Sequence, residues 1–177
     1  MIYLLFGAVW NEAFNDLVAY KYADYIPQYG RVLEFGCGIA PISHSLLKYY
    51  RNKALDITAA DIPGIMLHYA RWRFSGEIKR VFTPVLDPDK PFLTGNYHVI
   101  FICQVLEHLH DPFKTMEYLH GRLQNNGILI FDYIKSEGMG LDTEEGVKQR
   151  PTVIKFIRQN YDIIKGNCEG ETIARKR

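Results

Sequence analysis

Four short apolar runs, Arg31–Phe35, Asp56–Ala60, Val99–Cys103 and Gly127–Tyr133, are separated by stretches whose apolar residues recur at steps of three and four. Runs this short, apolar on both faces and punctuated by glycine, read as strands buried under helices. The intervening stretches predict helices from Pro41 to about Tyr50, Gly64–Phe74, Pro112–Leu123 and Glu144–Asn160. Ile78–Leu86 reads as a further strand broken at Pro84, and Tyr161–Lys165 with Glu171–Arg175 as a closing hairpin. Strands alternating with helices predict an open, mostly parallel α/β sheet. Such a sheet binds ligands at the carboxyl ends of its strands, so the residues just after each strand carry the functional information. Ahead of the first strand, Tyr3, Phe6, Trp10, Phe14 and Leu17 form one aromatic stripe at helical spacing, running toward Pro27.

A length of 177 residues suits one domain, with 1–29 as a helical cover and 31–177 as the core. With 21 Lys and Arg against 20 Asp and Glu, the chain lacks the basic field of a nonspecific nucleic-acid binder. No apolar run is long enough to span a bilayer. The N-terminal apolar run has no basic flank and is cut by Asn11 and Glu12, unlike a signal peptide. Cys37, Cys103 and Cys168 are odd in number and lack metal-type spacing, which suits reduced thiols and a cytoplasmic location.

The segment VLEFGCGIAP, Val32–Pro41, places Glu34, Gly36 and Gly38 at a strand-to-helix turn. Glycines there let the backbone turn sharply and let a ligand lie against it. A dinucleotide fingerprint would carry a third glycine where Pro41 stands, and would aim the helix N-terminus at pyrophosphate. A carboxylate at Glu34 would repel pyrophosphate and favour a cation, which suits S-adenosylmethionine, a cofactor with a sulfonium, an ammonium and no phosphate. Asp61, after the second strand, can accept hydrogen bonds from ribose hydroxyls. It stands 27 residues after Glu34, which predicts an extended helix or loop at 49–54. Asp87 follows the third strand and reads either as an acceptor for an adenine amino group or as a turn residue.

VLEFGCGIAP, AADIPG (Ala59–Gly64), YHVIFICQVLEHLHDP (Tyr97–Pro112) and LQNNGILIFDY (Leu123–Tyr133) together resemble the class I S-adenosylmethionine-dependent methyltransferases. The resemblance implies a Rossmann-like, doubly wound sheet of seven strands in three α/β/α layers, with only the last strand antiparallel. It implies cofactor contacts at Glu34, Gly36, Cys37, Gly38, Asp61, Ile62, Asp87 and the Cys103–Gln104 strand end. Ala40 stands where many members keep a third glycine, a mild change. Asn125–Asn126 replaces the family's Pro-Gly before Gly127, which alters a turn and not the chemistry.

Methyl transfer to an activated sulfonium is mostly a matter of holding nucleophile and methyl in line, and a general base helps a hydroxyl acceptor. His108, after the fourth strand, ranks first as that base, ahead of His110, Asp132 and Tyr133. His98 begins a strand, at the wrong edge, and reads as structural; His44, His68 and His120 lie on helices and read as surface or packing residues. Gln104, Glu107 and His108 would share one face of a helical turn. That spacing is similar to the Glu-x-x-Glu-His metal motif of ubiquinone-biosynthesis and small-RNA methyltransferases. Gln104 replaces the first carboxylate, a strong ligand for a hard cation, so no metal is expected. The loop Lys135–Thr143 reads as a flap or a plain connector, and Arg71, Arg73, Lys79 and Arg80 as a solvated face in preference to a contact for an anionic acceptor or partner.

These features favour a methyltransferase acting on a small-molecule acceptor, with oxygen as the preferred atom. No nucleic-acid or membrane partner is expected, while a protein partner is left open. The alternative is a non-catalytic, methyltransferase-like subunit supporting a partner enzyme. A dinucleotide-dependent dehydrogenase is disfavoured by Glu34 and Pro41.

Overall fold

A computed structural model describes residues 20–87, 93–133 and 142–177, in two compact units, Met1–Thr94 and Gly95–Arg177. The aromatic stripe at 3–17 and most of the expected flap fall outside the described residues.

The first unit alternates β1 (Arg31–Phe35), α1 (Pro41–Tyr49), β2 (Asp56–Ala60), α2 (Ile65–Arg73) and β3 (Val81–Phe82). Its strands run parallel in the order β3-β2-β1, with Arg31 opposite Asp56 and Phe35 opposite Ala60. Val32, Leu33, Ile57, Ala59, Ala60, Leu67 and Ala70 are all buried. Pro41 opens α1 at a position where its missing N–H costs no helical bond. The extra chain between Glu34 and Asp61 is a short 3₁₀ turn, Arg51–Lys53, closed by Ala54 at φ 50°. That turn lies within the predicted 49–54 segment.

The expected strand Ile78–Leu86 is a correction. Only Val81–Phe82 pairs with β2, followed by a lone parallel bridge between Asp61 and Val85. Pro84 has no N–H to give the ladder. Upstream, Arg80 and Val81 donate to the Glu77 carbonyl, so that chain is a turn.

The second unit holds β4 (Tyr97–Ile102), α3 (Pro112–Arg122), β5 (Leu123–Phe131), α4 (Glu144–Asn160), β6 (Tyr161–Lys165) and β7 (Thr172–Lys176). The order is β4-β5-β7-β6; β4 and β5 are parallel, and β7 runs antiparallel to both neighbours. Strand β5 starts four residues earlier than the Gly127 expected from sequence. It reaches Leu123 through a register shift opposite Tyr97 and Val99. Asn126 sits at φ 62° inside that irregularity, a left-handed conformation that asparagine tolerates better than most residues. Helices α3 and α4 meet through Phe113 and Phe156, whose ring centroids are 5.7 Å apart. His120 packs edge-on against Phe156 and its Nδ1 lies 3.0 Å from the Tyr161 hydroxyl, a packing role as expected.

Candidate functional site

The turn after β1 is held by its own backbone. Gly36 and Cys37 both donate to the Ala60 carbonyl, at 2.8 and 3.0 Å, which ties the turn to the end of β2. Gly36 and Gly38 take φ of 68° and 54°, and Ala40 takes 56°. The left-handed region disfavours side chains with a Cβ, so the third position asks for glycine although alanine fills it. Ala40 is therefore a less neutral replacement than its small size suggests. Beside Gly38 a Cβ would meet nothing within 4 Å, so the turn presents bare backbone with open space against it.

Asp61 closes this turn from the end of β2. Its Oδ2 accepts from the Gly38 N–H at 2.5 Å and its Oδ1 from the Ile62 N–H at 2.7 Å. A carboxylate has about four lone-pair sites, so each oxygen retains acceptor capacity for a hydroxyl. Burial raises the Asp61 pKa, and the two backbone donors oppose that rise. Ile62 is 55% exposed beside it, an apolar surface at the rim. Asp87 is exposed one residue beyond Leu86, whose N–H donates to the Asp61 carbonyl at 2.7 Å. Gly36, Cys37, Gly38, Asp61, Ile62 and Asp87 thus gather at the carboxyl edge of this unit's strands.

Glu34 has a different place. It is 4% exposed and turned into the start of α1, where its Oε2 accepts from the Ser43 N–H at 2.8 Å and the Ser43 hydroxyl at 2.5 Å. Its Oε1 accepts from the Ile42 N–H at 3.3 Å. Burial pushes its pKa up to about 7, against the pull of Ser43, Ile42 and Arg73. The residue singled out for its charge is therefore the cap of α1, whose own Ncap residue, Ala40, offers no side-chain acceptor. Ser43 escaped the sequence reading; a hydroxyl in the first turn of a helix that follows a buried acid is the signal that could have found it. Cys37 is buried, and burial together with the Glu34 and Asp61 charges raises its pKa, so it stays a thiol.

Gln104 and His108 belong to the second unit, after β4. Gln104 sits at φ 57°; its N–H donates to Asp132 Oδ1 at 2.6 Å and its side-chain amide to Asp132 Oδ2 at 3.0 Å. A 3₁₀ turn, Leu106–His108, follows. Glu107 is 3% exposed and its Oε2 has no hydrogen-bond partner. Burial raises the Glu107 pKa, with Asp132 and Asp142 adding to the shift and His108 opposing it. The half-exposed His108 ring lies 3.9 Å from Glu107 Oε1 through Nε2 and 3.9 Å from Asp142 Oδ1 through Nδ1. Among the described residues no group of three or more His, Cys, Asp or Glu side chains is arranged to hold a metal ion.

The start of α4 is fixed to this turn. Thr143 caps it, accepting from the Gly146 N–H at 2.8 Å, donating its hydroxyl to the Leu109 carbonyl at 2.6 Å and its own N–H to the Glu107 carbonyl at 2.9 Å. A Cβ on Gly146 would collide with that same Glu107 carbonyl. The buried Tyr133 hydroxyl donates to the Gly146 carbonyl at 2.5 Å. Burial first, and the Glu107 charge second, push the Tyr133 pKa up to about 12, so Tyr133 is a structural donor here.

A methyltransferase-domain family model matches residues 33–129, more than half of the chain, from within β1 to within β5. The chain belongs to the methyltransferase domain family. It is 27% identical over 143 residues to YqeM of Bacillus subtilis (strain 168), a protein with a methyltransferase name. That alignment covers 75% of this chain and 55% of YqeM, so the chain spans about half the length of that relative. Among solved structures, an S-adenosylmethionine-dependent methyltransferase from Clostridium acetobutylicum ATCC 824 aligns with a TM-score of 0.63 at 12% identity. It covers 99% of this chain and 98% of its own. A Staphylococcus aureus protein described as a caffeoyl-CoA O-methyltransferase gives a TM-score of 0.69 at 16% identity, over 93% of this chain and 83% of its own. At such identities the structural likeness concerns the fold alone, and it makes this methyltransferase domain an α/β protein of the Rossmann-like class. No helix among the described residues is long and apolar enough to cross a membrane.

Proposed function

We propose that the chain is an S-adenosylmethionine-dependent methyltransferase that alkylates a small-molecule acceptor, with oxygen as the acceptor atom. The observation that carries the cofactor class is the fate of the first α1 amides. The N–H groups of Ile42 and Ser43 would receive pyrophosphate in a dinucleotide site, and both are spent on Glu34. A phosphate-free nucleoside fits instead: Asp61 keeps acceptor capacity for a ribose diol, and Ile62 offers an apolar surface beside it.

S-adenosylmethionine, when bound, supplies a methyl group already activated on a sulfonium. The chain's own residues then have to bind and orient. Asp61 fixes the ribose, the bare Gly38 backbone lets the ligand approach closely, and Asp87 is the candidate acceptor for the adenine amino group. Gln104 enters through its strand-end backbone, its side chain being engaged with Asp132. His108 is the candidate general base, since its side chain is 37% exposed after the end of β4 and its ring lies 3.9 Å from the Glu107 and Asp142 carboxylates.

Calorimetric titration with S-adenosylhomocysteine, with NAD in parallel, tests the cofactor class. Binding of the former alone is expected. Binding of NAD alone would overturn the reading, and binding of neither would favour a non-catalytic subunit. For the base, His108→Ala should lower turnover about a hundredfold or more while leaving S-adenosylhomocysteine affinity unchanged. Turnover at the wild-type level would remove His108 from the chemistry.

A further inference from the structure

In the second unit, α4 borders an open groove of about 530 Å³ whose apolar strip is Val147, Pro151 and Ile154. At 3.6 residues per turn Arg150 and Lys155 flank that strip on opposite sides, and Arg158 follows it toward the helix end. Glu169, from the loop before β7, is the one acid lining the groove among the described residues. From Gly146 to Asn160 the helix carries no Asp or Glu, and the exposed Lys148 adds to its positive charge. Its acids, Glu144 and Glu145, stand in the first turn.

The lining arginines are held by neutral groups. Arg150 is partly buried, and its guanidinium carbon lies 5.7 Å from the centre of the Tyr133 ring. Its Nη2 reaches the Glu169 carbonyl only at 3.5 Å, and its Nε is buried without a hydrogen-bond partner. Arg158 donates to the Asn167 carbonyl at 3.3 Å and lies beside the Cys168 thiol. Among the described residues none of Arg150, Lys155 and Arg158 forms an ion pair with a carboxylate. A partly buried guanidinium without a counterion is unfavourable, and an anion in the groove would offset that cost.

We infer that this groove is a binding site for a phosphate monoester, whose phosphate meets Arg150, Lys155 and Arg158 and whose organic group lies on Val147, Pro151 and Ile154. Charge selects the class. Three lining cations against one acid match a dianion better than a carboxylate, and a phosphate monoester carries about −1.5 to −2 charges at pH 7. Guanidinium forks also suit phosphate oxygens. The apolar strip selects an ester over inorganic phosphate, to which it offers nothing. The volume falls within the range of small-ligand sites. The groove shares no residue with the cofactor edge or with His108, so the two readings fail separately.

Titration of the isotope-labelled full chain with phenyl phosphate, followed through backbone amide shifts, tests the site, with inorganic phosphate and benzoate as parallel probes. The expected result is saturable shifts along α4 and at Glu169, with a dissociation constant of about 1 mM or below. Both parallel probes should bind at least about threefold more weakly. Lys155→Gln and Arg158→Gln should each weaken phenyl phosphate about fivefold. Ile154→Ala should weaken phenyl phosphate and leave inorganic phosphate unchanged. None of the three positions is buried, and far-UV circular dichroism checks that each variant folds. Shifts scattered over the basic residues without saturation, benzoate binding as tightly as phenyl phosphate, or unchanged affinity in both cation variants would each overturn the proposal.

Discussion

Each unit clasps the turn after one strand with a carboxylate from the end of the neighbouring parallel strand, but the two clasps are completed differently. In the first unit Asp61 reaches the N–H of Gly38, at φ 54°, and its second oxygen takes only the adjacent Ile62 N–H. In the second unit Asp132 reaches the N–H of Gln104, at φ 57°, and the glutamine side chain folds back onto the other oxygen. Each aspartate accepts one bond on each oxygen, but the glycine leaves open space beside Asp61, whereas the glutamine side chain lies against Asp132, which is 8% exposed. The same backbone device therefore makes a candidate binding edge in one unit and a closed structural joint in the other. Glu34 extends the contrast within the first unit, because a third strand-linked carboxylate is there buried and spent on a helix start.

Of the tests that separate these carboxylates, the one with the largest expected effect concerns Glu34. Folded Glu34 keeps its proton to about pH 7, whereas its ordinary value is 4.5. Between those values the folded chain binds the extra proton, so the stability contributed by Glu34 falls as pH rises through this window and is lost above it. Relative to Glu34→Gln, the unmodified chain should lose about 3 kcal/mol between pH 4.5 and 7.5 in denaturant melts. Parallel stability curves for the two proteins would show that the donors of α1 fully offset the burial of the charge. Next comes the closed clasp: Asp132→Ala strands the N–H of Gln104 and should cost about 2 kcal/mol of unfolding free energy. A loss below about 0.5 kcal/mol would mean that the joint is dispensable.

The strand-and-helix alternation was legible because buried parallel strands are short apolar runs and helices repeat at 3.6. The position of Asp61 was legible for a related reason, since topology alone sends a strand-end acid to the carboxyl edge of the strands. The direction of Glu34 was not, because a residue in a strand buried on both faces gives no alternation from which to tell its side. Gln104 read as a cofactor or metal neighbour because its left-handed backbone, and hence its clasp with Asp132, has no signature in side-chain type. Pro84 did announce the break in β3, but not that only Val81 and Phe82 would pair. Nothing in the local pattern around Gly146 announced its close approach to the Glu107 carbonyl, a contact between segments far apart in sequence.

The open clasp is the centre of this account, and one comparison tests it most directly: S-adenosylhomocysteine affinity by calorimetry for the unmodified chain and for Asp61→Ala, with unfolding followed in parallel. The prediction is an affinity at least about tenfold weaker in the variant, with a smaller loss of stability than Asp132→Ala shows. Unchanged affinity would contradict the account, since it would leave Asp61 as a second structural joint and place the nucleoside elsewhere.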